Sequence, residues 1–517
     1  MRARRLVSVL LVLAGSALVA SPAAAATPSY VKAAEGRPQE LVARESVLLA
    51  RLEQLRELGR LYGKNYWPGW DILSTPIAVH DQGRLAVLIQ HPNPPAHFTR
   101  VETPLVSTPV YVSTNTSGML ANTALPLNGV VTSMITYDTM MTAEAEDALA
   151  VCLHEFFHAY RQRIAPQKFG DILVLVFGRY PEFSIDNNAW LSLEALLLDQ
   201  ALDERDRRHA RGLAQRFLAV RAVRRRLLPA DLVRFERGEE ANEGLSQYVE
   251  YRFLSQRLKG YAGTEPLRRL DPGFSGFRRN RVLLRRRLAP LTDLALAGPT
   301  LRERLYPLGM AQAVLLDRLW PGWQKEFETT EKFLDELLAD AAGFPTGDNV
   351  AVQTLYQRAL QGPGIDWKGI QEQVRREMAG RAREREKLLA ELFPPGAAEL
   401  EVDVSGVRGQ FHLHGVNPNT LLALPDGRLL ARFLVVDFGY AEECALRVVN
   451  GAVIYDPARQ TYLLSVPPEL LPAPDAAFPL EVQTRTFNVH VEKGTILTGT
   501  NRRVLRAEPT APRPQSN

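Results

Sequence analysis

Two cysteines in 517 residues exclude a disulfide scaffold. Cys152 stands two positions before His154 and so points to another side of any helix they share. Both Cys152 and Cys444 are expected as buried thiols. Long apolar runs are also missing beyond the N-terminus. Ile172–Phe177 falls far short of the roughly 18 apolar residues that a membrane-spanning helix needs. A surplus of one charge is lacking too. The formal charge is +4, but three arginines lie within the first 26 residues, and without them 59 basic residues face 58 acidic ones. That balance makes the overall charge uninformative about partners, and no nucleic-acid partner is expected. The two local basic runs, Arg221–Arg226 and Arg278–Arg281 with Arg285–Arg287, are expected as solvated helix faces. No internal repeat is visible.

The N-terminus reads as a secretory signal over residues 1–26. Arg2, Arg4 and Arg5 precede an apolar core from Leu6 to Ala20, and Ala24-Ala25-Ala26 offers a small-residue cleavage site. The rest of a twin-arginine motif is missing, so general secretion is expected, to the periplasm or beyond. The remaining chain is expected without an integral membrane segment.

Patterning divides that remainder. Residues 27–142 hold a helical stretch, Gln39 to Leu61, and then extended runs at 76–79, 85–89, 110–112 and 129–136. Residues 143–393 show apolar spacing of three and four almost throughout, ending in a charged 366–393 segment that reads as a long surface helix. Phe393-Pro-Pro-Gly396 stops it. Residues 397–509 alternate as strands and suggest a separate sandwich or barrel; 510–517 reads as a tail. His412 and His414 share one strand face, a polar face by default.

His154-Glu155-Phe156-Phe157-His158 carries the most chemistry. On a helix, two histidines four apart share a face and can hold one zinc ion, with the intervening glutamate as general base toward an activated water. Residues 143–160 contain no Gly or Pro, and Thr142 or Asp138 offers a helix cap. The strand at 129–136, directly upstream, stands where an edge strand can pair with an extended peptide. A zinc hydrolase needs a third protein ligand and an open position. Glu182, Asp186, Glu194 and Glu243 compete for it on spacing and setting.

Asn242-Glu243-Gly244-Leu245-Ser246-Gln247-Tyr248-Val249-Glu250 resembles the N-E-G-F-A-x-Y-x-E segment of the aminopeptidase-N-like gluzincins. The resemblance implies that Glu243 is the third ligand. It covers about residues 120–320 and is confined to short motifs. Eighty-four residues separate His158 from Glu243, far more than in that family, implying a helical insertion at about 165–238. Glu194 would then be a supporting or surface residue. Tyr306-Pro-Leu-Gly309 is similar to the family's Y-x-K-G helix, which implies an oxyanion-binding role for Tyr306, although Leu308 replaces the lysine. The family's G-A-M-E-N has only a loose echo in Gly118–Asn122, where Ala121 stands in place of the amine-holding glutamate. Asn128-Gly129 is a second candidate, also without the acid. Glu239 or Glu240 substitutes for it, or the enzyme cuts internally.

The sequence thus leads to an α+β protein: a zincin-like, mostly helical catalytic domain preceded by a β-rich subdomain and followed by an all-β module. The expected activity is that of an exported metallopeptidase acting on peptides or proteins. One Zn²⁺ per chain is held by His154, His158 and Glu243, with Glu155 and Tyr306 catalytic. The alternatives are a non-catalytic binding protein on that fold and a zinc hydrolase of non-peptide substrates.

Overall fold

The computed structural model describes residues 38–119, 122–142, 144–170, 179–255, 261–277, 281–292, 302–407, 411–414, 421–440 and 443–509. The expected signal, Ile172–Phe177, Ala121 and the 510–517 tail lie outside them, as do the side chains of His412 and His414. The protein is a mixed α+β structure whose residues cluster into two compact units. The first holds the described residues up to 171 and 186–370. The second holds those of 172–185 and from 371 onward.

In the first unit, helices α1 (Pro38–Arg44) and α2 (Ser46–Tyr66) precede six strands: β1 (Ile77–Asp81), β2 (Leu85–Ile89), β3 (Thr99–Val101), β4 (Val110–Ser113), β5 (Thr123–Leu127) and β6 (Val130–Thr136). They form one sheet in the order β3-β4-β2-β1-β6-β5. All five residues of β2 are buried, so the sheet is covered on both faces at its centre. The expected edge strand at 129–136 is therefore internal. β6 runs parallel to β1, with Ile77 opposite Ser133, and antiparallel to β5, with Ala124 opposite Ser133. The reason is local. Asn128 and Gly129 both have positive φ (45° and 80°), forming a two-residue hairpin turn that adds β5 outside β6. The edge strand is β5.

After α3 (Tyr137–Met140) comes α4 (Ala145–Ile164), which carries the H-E-x-x-H motif. Neither Thr142 nor Asp138 caps it. Its N-cap is Glu144, without a side-chain bond, while the short α3 is capped by Thr136. Nearly every residue from Ala145 to Arg161 is buried, which marks a helix enclosed on all sides. Gln162 Nε2 donates to Ala124 O at 2.9 Å and ties the motif helix to the edge strand. On its far side Phe157 packs against Trp67 and Trp70, with ring centroids 5.0 and 5.2 Å away. Trp67 and Trp70, which break the pattern after α2, thus anchor the motif helix. Cys152 is buried beside Met140, and both Cys152 and Cys444 are free.

The helical remainder comprises α5 (Ile185–Asp203), α6 (Arg207–Arg225), α7 (Ala230–Glu239), a π-helical turn (Glu240–Gly244), α8 (Leu245–Ser255), α9 (Glu265–Leu270), α10 (Arg281–Leu288), α11 (Arg302–Leu319), α12 (Trp323–Thr329), α13 (Leu334–Ala342), α14 (Asn349–Leu360) and α15 (Trp367–Leu392). The boundary between units falls within α15.

In the second unit, ten strands form one open sheet: β7 (Ala398–Asp403), β8 (Phe411–His414), β9 (Leu421–Ala423), β10 (Leu429–Tyr440), β11 (Cys444–Asp456), β12 (Thr461–Val466), β13 (Leu480–Gln483), β14 (Phe487–Val491), β15 (Gly494–Gly499) and β16 (Arg502–Ala507). The main path runs β13-β14-β11-β12-β7-β16-β15, and β7 and β16 are parallel. The path does not close into a barrel. Helix α15 is the long surface helix expected, with only Val374, Met378 and Arg385 buried along it. At its end Leu388, Leu389, Leu392 and the following Phe393, all partly buried, pack on Leu424, Leu430 and Ile454.

Candidate metal centre

His154 and His158 lie one turn apart on α4, and α8 packs alongside. Glu243 sits in the π turn between α7 and α8. A π turn is wider than an α turn and shifts the phase of the residues that follow. Here it lets two adjacent residues, Asn242 and Glu243, both reach the histidines. Glu243 Oε2 is 3.3 Å from His154 Nε2 and 3.3 Å from His158 Nε2. The three donors converge within 4.8 Å and are all buried.

The outer nitrogens are held. His154 Nδ1 lies 2.7 Å from Glu250 Oε1. His158 Nδ1 lies 2.8 Å from Asn242 Oδ1 and 3.2 Å from Ser246 Oγ. A carboxylate and an amide oxygen only accept, so each Nδ1 donates, which leaves each Nε2 as the ring atom turned toward the Glu243 oxygen. Burial opposes charge on His154, but the Glu243 and Glu250 carboxylates outweigh it and raise its pKa to about 10. Glu250 is in turn held by Arg287 at 2.6 Å, and Arg287 also reaches Asp147 at 2.8 Å.

Glu155 is fully buried, and neither of its carboxylate oxygens has a hydrogen-bond partner. Burial pushes its pKa up to about 7, against the pull of the two histidines. An unpartnered buried carboxylate is costly unless something arrives to use it.

Helix α11 closes the site. A Cβ on Gly244 would lie 2.5 Å from Gly309 Cα, so the two glycines let α11 cross the π turn in direct backbone contact. This brings Arg302 and Tyr306, one turn apart, to Glu243. Arg302 Nη2 donates to Glu243 Oε1 at 2.7 Å, its Nε pairs with Glu239 Oε2 at 2.6 Å, and its Nη1 donates to the Tyr306 hydroxyl. Burial holds Tyr306 well above its ordinary pKa, so its phenol is neutral.

The residues present fit a divalent cation. Two imidazole nitrogens and one carboxylate oxygen are the donor set that zinc favours.

Of the rival third ligands, none joins the triad. Asp186 is exposed on the first turn of α5, and Glu182 belongs to the second unit. Glu194 is neither a supporting partner of the histidines nor a surface residue. It is buried between Arg221 (2.9 Å) and Arg224 (2.5 Å). Arg221 also grips both oxygens of Glu240 on the π turn, at 2.6 and 2.8 Å. The run at 221–226 is thus not a solvated face, because Arg221 and Arg224 are buried inside it. Arg287 of the second run is likewise buried. Counterions for these arginines lie far along the chain, so composition gave no sign of their burial. The supporting residues Asn242, Ser246, Glu250, Asp147, Arg287 and Arg302 were missed as functional. Only Asn242 and Glu250 carried a signal, as matched motif positions.

Compared with known proteins, the chain matches no family model, no curated sequence and no solved structure.

Proposed function

We propose that this protein is a zinc-dependent metallopeptidase of the gluzincin type, with a zincin-like catalytic region in the first unit, and that it works after export. The observation that carries this reading is the convergence of His154 Nε2, His158 Nε2 and Glu243 Oε2 beside the unpartnered carboxylate of Glu155. Zinc, when bound, supplies Lewis acidity toward a water and a carbonyl oxygen. His154, His158 and Glu243 hold it. Glu155 takes a proton from the attacking water as the water oxygen bonds to the peptide carbon. It passes that proton to the amine nitrogen as the C–N bond breaks. Tyr306 donates its phenolic hydrogen to the oxyanion. The free edge of β5, tied to α4 through Gln162, offers an extended peptide a strand to pair with.

Glu240 is bound at both oxygens by Arg221, and Glu239 is paired with Arg302. Glu240 is thus not at liberty to hold a substrate amine and Glu239 already shares an oxygen with Arg302, which favours cleavage that does not require a free N-terminus. The test is zinc content of the purified protein together with hydrolysis of an internally quenched peptide, amine-blocked and free. One zinc per chain and cleavage of both forms are expected. Absence of stoichiometric zinc defeats the metallopeptidase reading, and cleavage of the free form alone defeats the internal-cleavage part.

A further inference from the structure

We infer that Arg302 is a positioning residue that fixes how Glu243 meets the metal and which way Tyr306 donates; this rests on the metallopeptidase reading above. The guanidinium is fully buried and spans three partners on one side of the site. One nitrogen holds Glu243 Oε1 at 2.7 Å. Asn242 Nδ2 adds a weaker contact to the same oxygen at 3.3 Å. With Oε1 so engaged, only Oε2 is turned toward the histidine pair. The carboxylate therefore presents a single oxygen to a metal, and a coordination position stays open for water and substrate.

A second nitrogen donates to the Tyr306 hydroxyl. A phenol that accepts from a guanidinium directs its own hydrogen elsewhere. Tyr306 thereby has its hydrogen turned away from Arg302, where it can be given to a substrate oxygen. Both arms come from one planar, permanently charged group, so ligand mode and donor direction are set together. Lysine, a point charge on a flexible stem, cannot hold both arms at once. The Gly244–Gly309 contact brings this arginine into reach of Glu243. The residue lies outside both matched motifs.

The experiment compares wild type, Arg302→Lys, Tyr306→Phe and the double variant. Zinc affinity is measured by competition with a chromogenic chelator, and kcat and KM with the quenched peptide. Arg302→Lys is expected to weaken zinc binding by about 10- to 100-fold, as loss of a ligand-orienting partner does. At saturating zinc it should lower kcat while KM stays near wild type. Tyr306→Phe should keep zinc affinity. In kcat at saturating zinc the double variant should lose clearly less than the product of the two single losses, because one of the two arms of Arg302 reaches the oxyanion through Tyr306. Should Arg302→Lys fail to fold, Arg302→Gln with Glu239→Gln removes the arginine along with one of its own counter-charges and should show the same zinc loss. Wild-type zinc affinity in a folded Arg302 variant, or multiplicative effects in the double, overturns the inference. A wild-type protein that binds no zinc defeats the metallopeptidase reading instead.

Discussion

At the scale of residues, this protein buries charge deliberately and in pairs. Removing one member of a buried pair leaves the other uncompensated, at a cost of about 3–5 kcal/mol. Glu194 is the clearest case, since it is fully buried and touches both Arg221 and Arg224. Glu194→Leu should lower unfolding stability by about 3 kcal/mol or more in urea titration. A midpoint indistinguishable from wild type would contradict the network. The same residue shows what the sequence could and could not reveal. His154, Glu155 and His158 were legible because their spacing alone states a chemistry. Glu194 was not, because a glutamate in an apolar helix looks the same whether it meets a metal, water or an arginine from another helix.

At the scale of elements, two devices bring the site together. The π turn aligns Asn242 and Glu243 with different histidine atoms, and the Gly244–Gly309 crossing lets α11 approach. Apolar spacing of three and four runs through this stretch and predicts ordinary helix there. The π turn was invisible because it needs no special residue, only tertiary contacts that reward a wider turn. The crossing was visible only as two glycines in separate motifs. A Cβ on Gly309 would lie 2.5 Å from the Glu240 carbonyl oxygen. Gly309→Ala should therefore destabilise by about 1–3 kcal/mol and, by displacing Tyr306, reduce kcat more than zinc affinity. Full activity with a normal melting temperature would refute the close crossing.

Helix α13 is fastened in another way. Asp335 pairs with Arg225 of α6 at 2.5 Å and Arg237 of α7 at 2.9 Å. Burial alone raises its pKa, but the two guanidinia overcome this and hold it well below the usual carboxylate range. A depressed carboxylate contributes stability that is present above its unfolded pKa, about 4, and is lost as pH falls through the folded value. Asp335→Asn should thus destabilise at pH 7 and flatten the acid limb of a stability–pH curve below about pH 4. An unchanged acid limb would show that Asp335 does not feel the arginines.

At the scale of the whole molecule, the sequence marks the order of extended, helical and again extended stretches, and several of the strands by position. It missed the internal position of β6, since strand order depends on a hairpin that a run of apolar residues does not announce. The 366–393 segment is the surface helix that its charge pattern predicts, and only the partly buried leucines at its end, which pack on the second unit's sheet, go unannounced among the charges. The site lies wholly in the first unit. Removing zinc should therefore destabilise that unit and leave the sheet of the second unit alone. With free zinc at about 100 times its dissociation constant, the stabilisation is about 2.7 kcal/mol. A chelator should lower the melting transition of the first unit by the corresponding amount, read by calorimetry or by hydrogen exchange in α4 and α8. Equal shifts in both units, or none, would argue against a metal bound at the triad.

The central claim is that a buried carboxylate beside a zinc triad activates water. It is tested most directly by the rate of quenched-peptide hydrolysis for wild type and Glu155→Gln, both loaded to one zinc per chain. The variant is expected to keep its zinc and to lose about 10²- to 10⁴-fold in kcat, the usual contribution of a general base. Equal rates at equal zinc would contradict it.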